Sequence, residues 1–328
     1  MRDNPIHPTV DFKQDGVQHG FLKVPYSGDD SAWGAVMVPV TVIKNGSGPT
    51  AILTGANHGD EYEGPIALWG MTHTLSADEV SGRVIIVPAM NYPAFKAGKR
   101  TSWIDGGNMN RVFPGDAEGT ITEIIADYFS RTLLPMAEVV IDIHSGGKTM
   151  EFLPFGAAHI LDDKDQQARC VAAVQAFNAP YTLMLLEPDA AHLYDTAAEN
   201  QGKVFVSTEL GGGGSASATT VNIARRGITN VLKHAGILAG EPEKGPSVNL
   251  DTMNPDCFIT SEHRGLIEMR HDLGAEIKKG DLLAVVYDRT GTVPVEYHSK
   301  VDGLFMGRHF PCLIRPGDFL AVIAATVD

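Results

Sequence analysis

Two rhythms of apolar and polar residues alternate along the first 240 positions. Short runs rich in β-branched and other apolar residues, at 50–56, 83–90, 139–143 and 204–209, have the length and composition of buried strands. Between and beyond them, 63–75, 120–134, 164–177 and 219–234 carry apolar side chains at helical spacing. Strands and helices in this order predict an α/β fold with a mainly parallel, doubly wound sheet. The rhythm breaks at 240–249, where GEPEKGPSVN has the Gly, Pro and charge content of a linker. After it come short strands punctuated by Gly and Pro, with no helical pattern. The predicted organisation is therefore a domain over 1–240, with an N-terminal β extension, and a smaller all-β domain over 250–328.

Composition narrows the partners. Apolar residues make up 43% of the 328 and charged residues 20%, a balance that suits a packed globular core. The formal net charge of −14 argues against nucleic acid or an anionic membrane surface, both of which demand clustered Lys and Arg. A small molecule is the expected partner, and a homo-oligomer stays open. No apolar run reaches the length of a membrane span and the first residues lack a signal-peptide pattern, so a cytoplasmic location is expected. The three cysteines, Cys170, Cys257 and Cys312, read as reduced core thiols.

Open α/β sheets bind ligands beyond the carboxyl ends of their strands, and three strand ends here carry chemistry. The first runs into Asn57-His58-Gly59-Asp60-Glu61 and the second into His144-Ser145-Gly146-Gly147. Two imidazoles and a carboxylate form a ligand set for a catalytic zinc, which lowers the pKa of water and polarises a carbonyl. The third strand ends on Glu209 before a run of four glycines and offers a general base. Asp142 lies two residues before His144 on the same strand face, where it could orient that ring. In the polar, Gly-rich connection 99–115, Arg111 could clamp a substrate carboxylate, Asn110 could add a hydrogen bond, and Arg100 could stabilise an oxyanion. A solvated turn is the competing reading of that loop. No second carboxylate-rich cluster calls for a second metal ion.

As an ordered set, His58-x-x-Glu61, Asn110-Arg111, His144 and Glu209 resemble the succinylglutamate desuccinylase and aspartoacylase family of the zinc carboxypeptidase clan. The resemblance spans most of 50–240. It implies a carboxypeptidase-like core, one zinc ion on His58, Glu61 and His144, Glu209 as base and then acid, and Asn110 with Arg111 holding the substrate carboxylate. Arg100 is the nearest counterpart of the arginine that the family places shortly before Asn-Arg. Around 104–111 and 142–147, and in the β tail, the chain is similar to the bacterial branch that deacetylates N-acetyl-2,4-diaminobutyrate in ectoine breakdown. The expected activity is therefore a zinc-dependent amidohydrolase removing a small acyl group, acetyl foremost, from an N-acylated amino acid. A side-chain ammonium on that substrate would look for an acid such as Glu187, Asp189 or Glu199.

Other readings compete. The same metal site would serve another acyl amino acid, or a carboxypeptidase trimming peptide fragments, and a narrow lidded pocket would separate the last from an amino-acid deacylase. A binding protein on this fold would have no need of Glu209. The tail hairpins look like the barrel-sandwich modules that carry biotin or lipoate, but Lys278, Lys279 and Lys300 lack the exposed hairpin setting of a modified lysine. The family brings a tail tyrosine towards the zinc, for which Tyr287 and Tyr297 are the candidates.

Overall fold

The computed structural model describes residues 3–185 and 191–327. Numbered in chain order, the principal elements begin with a long hairpin, β1 (Gly16–Gly28) and β2 (Ser31–Asn45). Next come β3 (Thr50–Gly55), α1 (Glu63–Thr74), β4 (Gly82–Val87), α2 (Ile121–Tyr128) and β5 (Val139–His144). They are followed by β6 (Phe155–His159), α3 (Lys164–Phe177), β7 (Tyr181–Leu185), α4 (Tyr194–Glu199), β8 (Val204–Glu209) and α5 (Ala218–His234). In the tail, β9 (Val248–Asp251), β10 (Gly303–His309) and β11 (Phe319–Val327) carry most of the pairing.

Along one large sheet the order is β1-β2-β4-β3-β5-β8-β6-β7-β9-β11-β10. Its centre is parallel, with β3 flanked by β4 and β5, and β5 by β8. A second parallel block, β6-β7-β9, joins β8 antiparallel. The hairpin at one edge and the tail strands at the other are antiparallel. The parallel order expected from the pattern thus holds at the centre, while the margins are antiparallel.

Alternate residues of the central strands feed two cores, as two-sided coverage requires. Leu53, Ile141 and Val206 face the helices α1, α3 and α5. Their neighbours Ile52, Val140 and Phe205 face α2 and the underside of the β1–β2 hairpin. A separate cluster around Ile267, Leu283, Phe305 and Ile323 is the tail's own core. Its companion, with Phe155, Leu183, Met306 and Val322, welds the tail to β6 and β7. The predicted helix over 120–134 ends early. It is α-helical to Tyr128, widens into a π turn over Phe129–Leu133 and closes with a 3₁₀ turn over Leu134–Met136, where Pro135 cannot donate to the helical ladder. Of the cysteines, Cys170 and Cys257 are buried as expected, whereas Cys312 is exposed. It follows a cis Phe310–Pro311 bond in a turn that the core does not cover.

Candidate active site

The registers of the central strands bring the predicted residues to one edge. Gly55 pairs with Ile143, and His144 with Glu209, so three strands end side by side. From β3 the chain turns sharply at Ala56, whose φ of 49° lies in the left-handed region and whose side chain is fully buried. Such a conformation is costly without glycine and persists only where packing enforces it. The turn presents His58. A Cβ on Gly59 would lie 2.0 Å from the Ala94 backbone, so only glycine fits at the position that follows His58.

Glu61 sits between two imidazoles. Its Oε1 is 2.7 Å from His58 Nδ1, its Oε2 is 2.9 Å from His144 Nδ1, and the Ser145 N–H donates to Oε2 at 3.1 Å. The outer ring nitrogens are held from behind. His58 Nε2 donates to Asn108 Oδ1 at 3.1 Å, and His144 Nε2 lies 2.8 Å from Asp142 Oδ2. Asp142 is itself fixed by donation from Thr54 Oγ1 and Asn57 Nδ2. Were both rings neutral with their outer nitrogens protonated, both Nδ1 lone pairs would point at a carboxylate, acceptor against acceptor. A cation resolves that arrangement, and donor atoms of the three residues lie within 4.8 Å of one another. The trio could hold a metal ion.

The titration behaviour of the trio points the same way. Burial lowers the His58 pKa below its ordinary value. His144 is also buried, yet the charges of Asp142 and Glu61 outweigh desolvation and raise it well above the imidazole range. At Glu61 burial works upwards, but the two imidazoles prevail and hold the carboxyl well below the carboxylate range. A positive charge is therefore favoured at this point of the structure. Glu209 behaves oppositely: burial first, and then the Glu61 charge, push it up to about 8. Its Oε2 is buried and takes no hydrogen bond from any described residue. A cation at the trio would draw it back down, leaving a carboxylate free to accept a proton.

His58, His144, Glu209, Arg100, Asn110 and Arg111 all line one cavity of about 240 Å³. Arg100 Nη1 is 3.7 Å from Glu61 Oε1, which puts the arginine at the mouth of the trio. Asn110 Oδ1 accepts the Tyr194 N–H at 2.9 Å, so the side chain pins the start of α4 and keeps its amide nitrogen for the cavity. The rest of the lining is mainly apolar. Phe155, Ala157, Leu183 and Leu185 come from β6 and β7, while Phe258, Met306 and Val322 come from the tail. Neither tail tyrosine takes part: Tyr287 donates to Glu268, and Tyr297 is tied up with Ser261, Glu262 and His263.

Three features escaped the pattern reading. Asn108 lay in the polar loop without a role, and it holds the back of His58. Asp195 lines the cavity, although nothing in YDTAAE marks it. A second buried trio, His159, Asp195 and Glu199, has donor atoms as closely grouped as the first, against the expectation of no second such cluster. Its only sequence signal is a histidine at the end of the apolar run FGAAH, a weak one. Glu199 bonds His159 Nδ1 at 2.9 Å, which accounts for that carboxylate, and Glu187 and Asp189 lie outside the described residues.

Comparison with known proteins follows the same lines. The model of the succinylglutamate desuccinylase/aspartoacylase catalytic domain matches residues 47–235, more than half of the chain. The chain belongs to that family. Among its members, an N-alpha-acetyl-L-2,4-diaminobutyric acid deacetylase from Halomonas elongata is 54% identical over 333 residues, spanning 100% of this chain and 97% of that one. A product-bound structure of the ectoine utilization protein EutE (DoeB) from Ruegeria pomeroyi superposes with a TM-score of 0.97 at 62% identity, over 99% of this chain and 100% of that one. A family structure called a succinylglutamate desuccinylase, from Silicibacter sp. TM1040, has the same TM-score at 59% identity over the whole of both chains. Two family names with different substrates thus stand at nearly equal distance, and the chemistry of the pocket has to separate them.

Proposed function

We propose that this family member is a zinc-dependent deacylase that removes the acetyl group from Nα-acetyl-2,4-diaminobutyrate in ectoine breakdown. The observation that carries the reading is a metal-competent trio and an unbonded, buried Glu209 facing a cavity of about 240 Å³ to whose lining the tail contributes apolar side chains. That space suits one acylated amino acid. A binding protein would gain nothing from a base placed beside the trio, and the dipeptide arm of the test below separates the deacylase from a peptidase.

His58, Glu61 and His144 would hold the zinc, which when bound supplies a more acidic water and a polarised amide carbonyl. Asp142 and Asn108 fix the two rings so that both Nδ1 atoms face inward. Glu209 takes the proton of the attacking water and delivers it to the departing amine. Arg100, at the mouth of the trio, offers N–H groups to the oxygen that gains charge as the amide carbon becomes tetrahedral. Arg111 and the Asn110 amide nitrogen, which line the same cavity, grip the α-carboxylate. Residues 1–240 form the catalytic unit and 250–328 the unit that closes it. No described helix is long and apolar enough to cross a membrane.

The test is hydrolysis of Nα-acetyl-diaminobutyrate, N-acetylaspartate, N-succinylglutamate and a dipeptide by purified protein, with bound metal measured in parallel. Turnover of the first alone, abolished by a chelator and restored by zinc, is expected. Preferential turnover of succinylglutamate or the dipeptide would overturn the substrate, and activity surviving full metal removal would overturn the zinc.

A further inference from the structure

Of the described residues lining the cavity, two carry carboxyl groups: Glu209 at the metal-competent end, and Asp195. Asp195 is 7% exposed. Its Oδ1 is occupied, accepting both the backbone N–H and the hydroxyl of Thr196. Its Oδ2 takes no hydrogen bond from any described residue, and the His159 Nε2 atom stands 3.9 Å away. A carboxylate withdrawn from water in this way is costly unless a positive group completes it.

The surroundings fix Asp195 in place and aim it at the pocket. Strand β6 pairs with Glu209 at Phe155, lines the cavity again with Ala157, and ends at His159 on the same face. The His159 ring is held at Nδ1 by Glu199, one helical turn beyond Asp195 on α4. On the other side the Tyr194 N–H is held by Asn110 Oδ1, so Asp195 is adjacent in structure to the Asn110-Arg111 pair. The cavity therefore offers a carboxylate clamp and, beside it, a half-satisfied acid among apolar side chains.

We propose that Asp195 is the specificity-determining residue of the pocket, receiving the side-chain ammonium of the acylated amino acid on Oδ2, with His159 and Glu199 as its positioning residues. The proposal rests on the deacylase reading and deepens it. A diamino acid spans the two charges, its α-carboxylate on Arg111 and its ammonium on Asp195. A glutamate or aspartate side chain would instead bring a second carboxylate against Asp195 in a poorly hydrated space, which separates a diaminobutyrate enzyme from an acidic-substrate relative. The grouping of His159, Asp195 and Glu199 would also suit a second metal ion, and the experiment tells the two apart.

Two ligand pairs differ only in ammonium against methyl: Nα-acetyl-diaminobutyrate with Nα-acetylnorvaline as substrates, and their free amino acids as binding probes. Wild-type protein is expected to bind diaminobutyrate at least about tenfold more tightly than norvaline. In Asp195→Asn, which keeps the Oδ1 acceptor for Thr196, the kcat/KM ratio between the two acetylated substrates falls by about 100-fold or more. Equal losses on both substrates would make Asp195 merely structural, and wild type binding the two amino acids alike would overturn the proposal without any variant. Two metal ions per wild-type chain, falling to one in Asp195→Asn, would replace the ammonium site by a metal site. If wild type hydrolyses neither substrate the deacylase reading falls, while the binding comparison still decides for or against Asp195.

Discussion

The α/β half and the β tail meet at one cavity and contribute to it in different ways. Every ionisable group lining it comes from the α/β half, at strand ends and in the loops beside them. Among the described residues the tail supplies Phe258, Met306 and Val322, with Thr252 as its one polar contribution. Chemistry here needs atoms placed to within a fraction of an ångström, and parallel strands ending in register on tight turns provide that. Shape needs bulk, which any well-packed apolar surface provides. The comparison makes a general prediction: substitutions in the first half change rate, metal binding or the charged grip on substrate, and substitutions in the second change only how well the substrate fits.

The largest effect is expected at Glu209. Glu209→Gln keeps the shape and removes the base, so kcat falls by about 10²- to 10⁴-fold while metal content stays at the wild-type level. Loss of metal in this variant, measured by elemental analysis, would move Glu209 into the ligand set. A smaller effect is expected one layer back, at Asp142, which touches His144 Nε2 at 2.8 Å and faces no substrate. Asp142→Asn should weaken metal affinity by about 10- to 100-fold in a competition titration with a chelator, with kcat largely restored at saturating metal. An unchanged affinity would mean that the ring is held by packing alone.

The same division explains what could be read in the sequence. The strand ends bearing His58, His144 and Glu209 were legible because each combines an apolar run, a chemical residue and a glycine-containing turn in contiguous sequence. Asp142 was legible from strand alternation. Asn108 and Asp195 were not, because their roles depend on partners at 50 and 36 residues' distance, His58 and His159, and nothing local distinguishes them. The tail's β character was legible from its Gly and Pro punctuation. Its place was not: β11 joins β9 and β10 at the edge of the main sheet, and β9 pairs parallel with β7, a set of long-range registers with no local signature. Only that placement puts Phe258 and Met306 over the site.

The smallest effect, and the one that separates the two halves most cleanly, belongs to Phe258. It lines the cavity while remaining 44% exposed, and its ring packs on Phe319 with centroids 5.9 Å apart. Truncation there removes a piece of wall without opening a hole in a dry core, so the protein should lose little stability, about 1 kcal/mol or less. If the tail contributes shape alone, Phe258→Ala raises KM about fivefold, leaves kcat near the wild-type value and leaves bound metal unchanged. Steady-state kinetics with metal analysis on the same preparation distinguishes the outcomes. A fall in kcat equal to the fall in kcat/KM would show that the wall matters only once the amide carbon becomes tetrahedral. The tail would then share in the chemistry, by excluding water from Glu209 and the trio, and the division between the halves would fail.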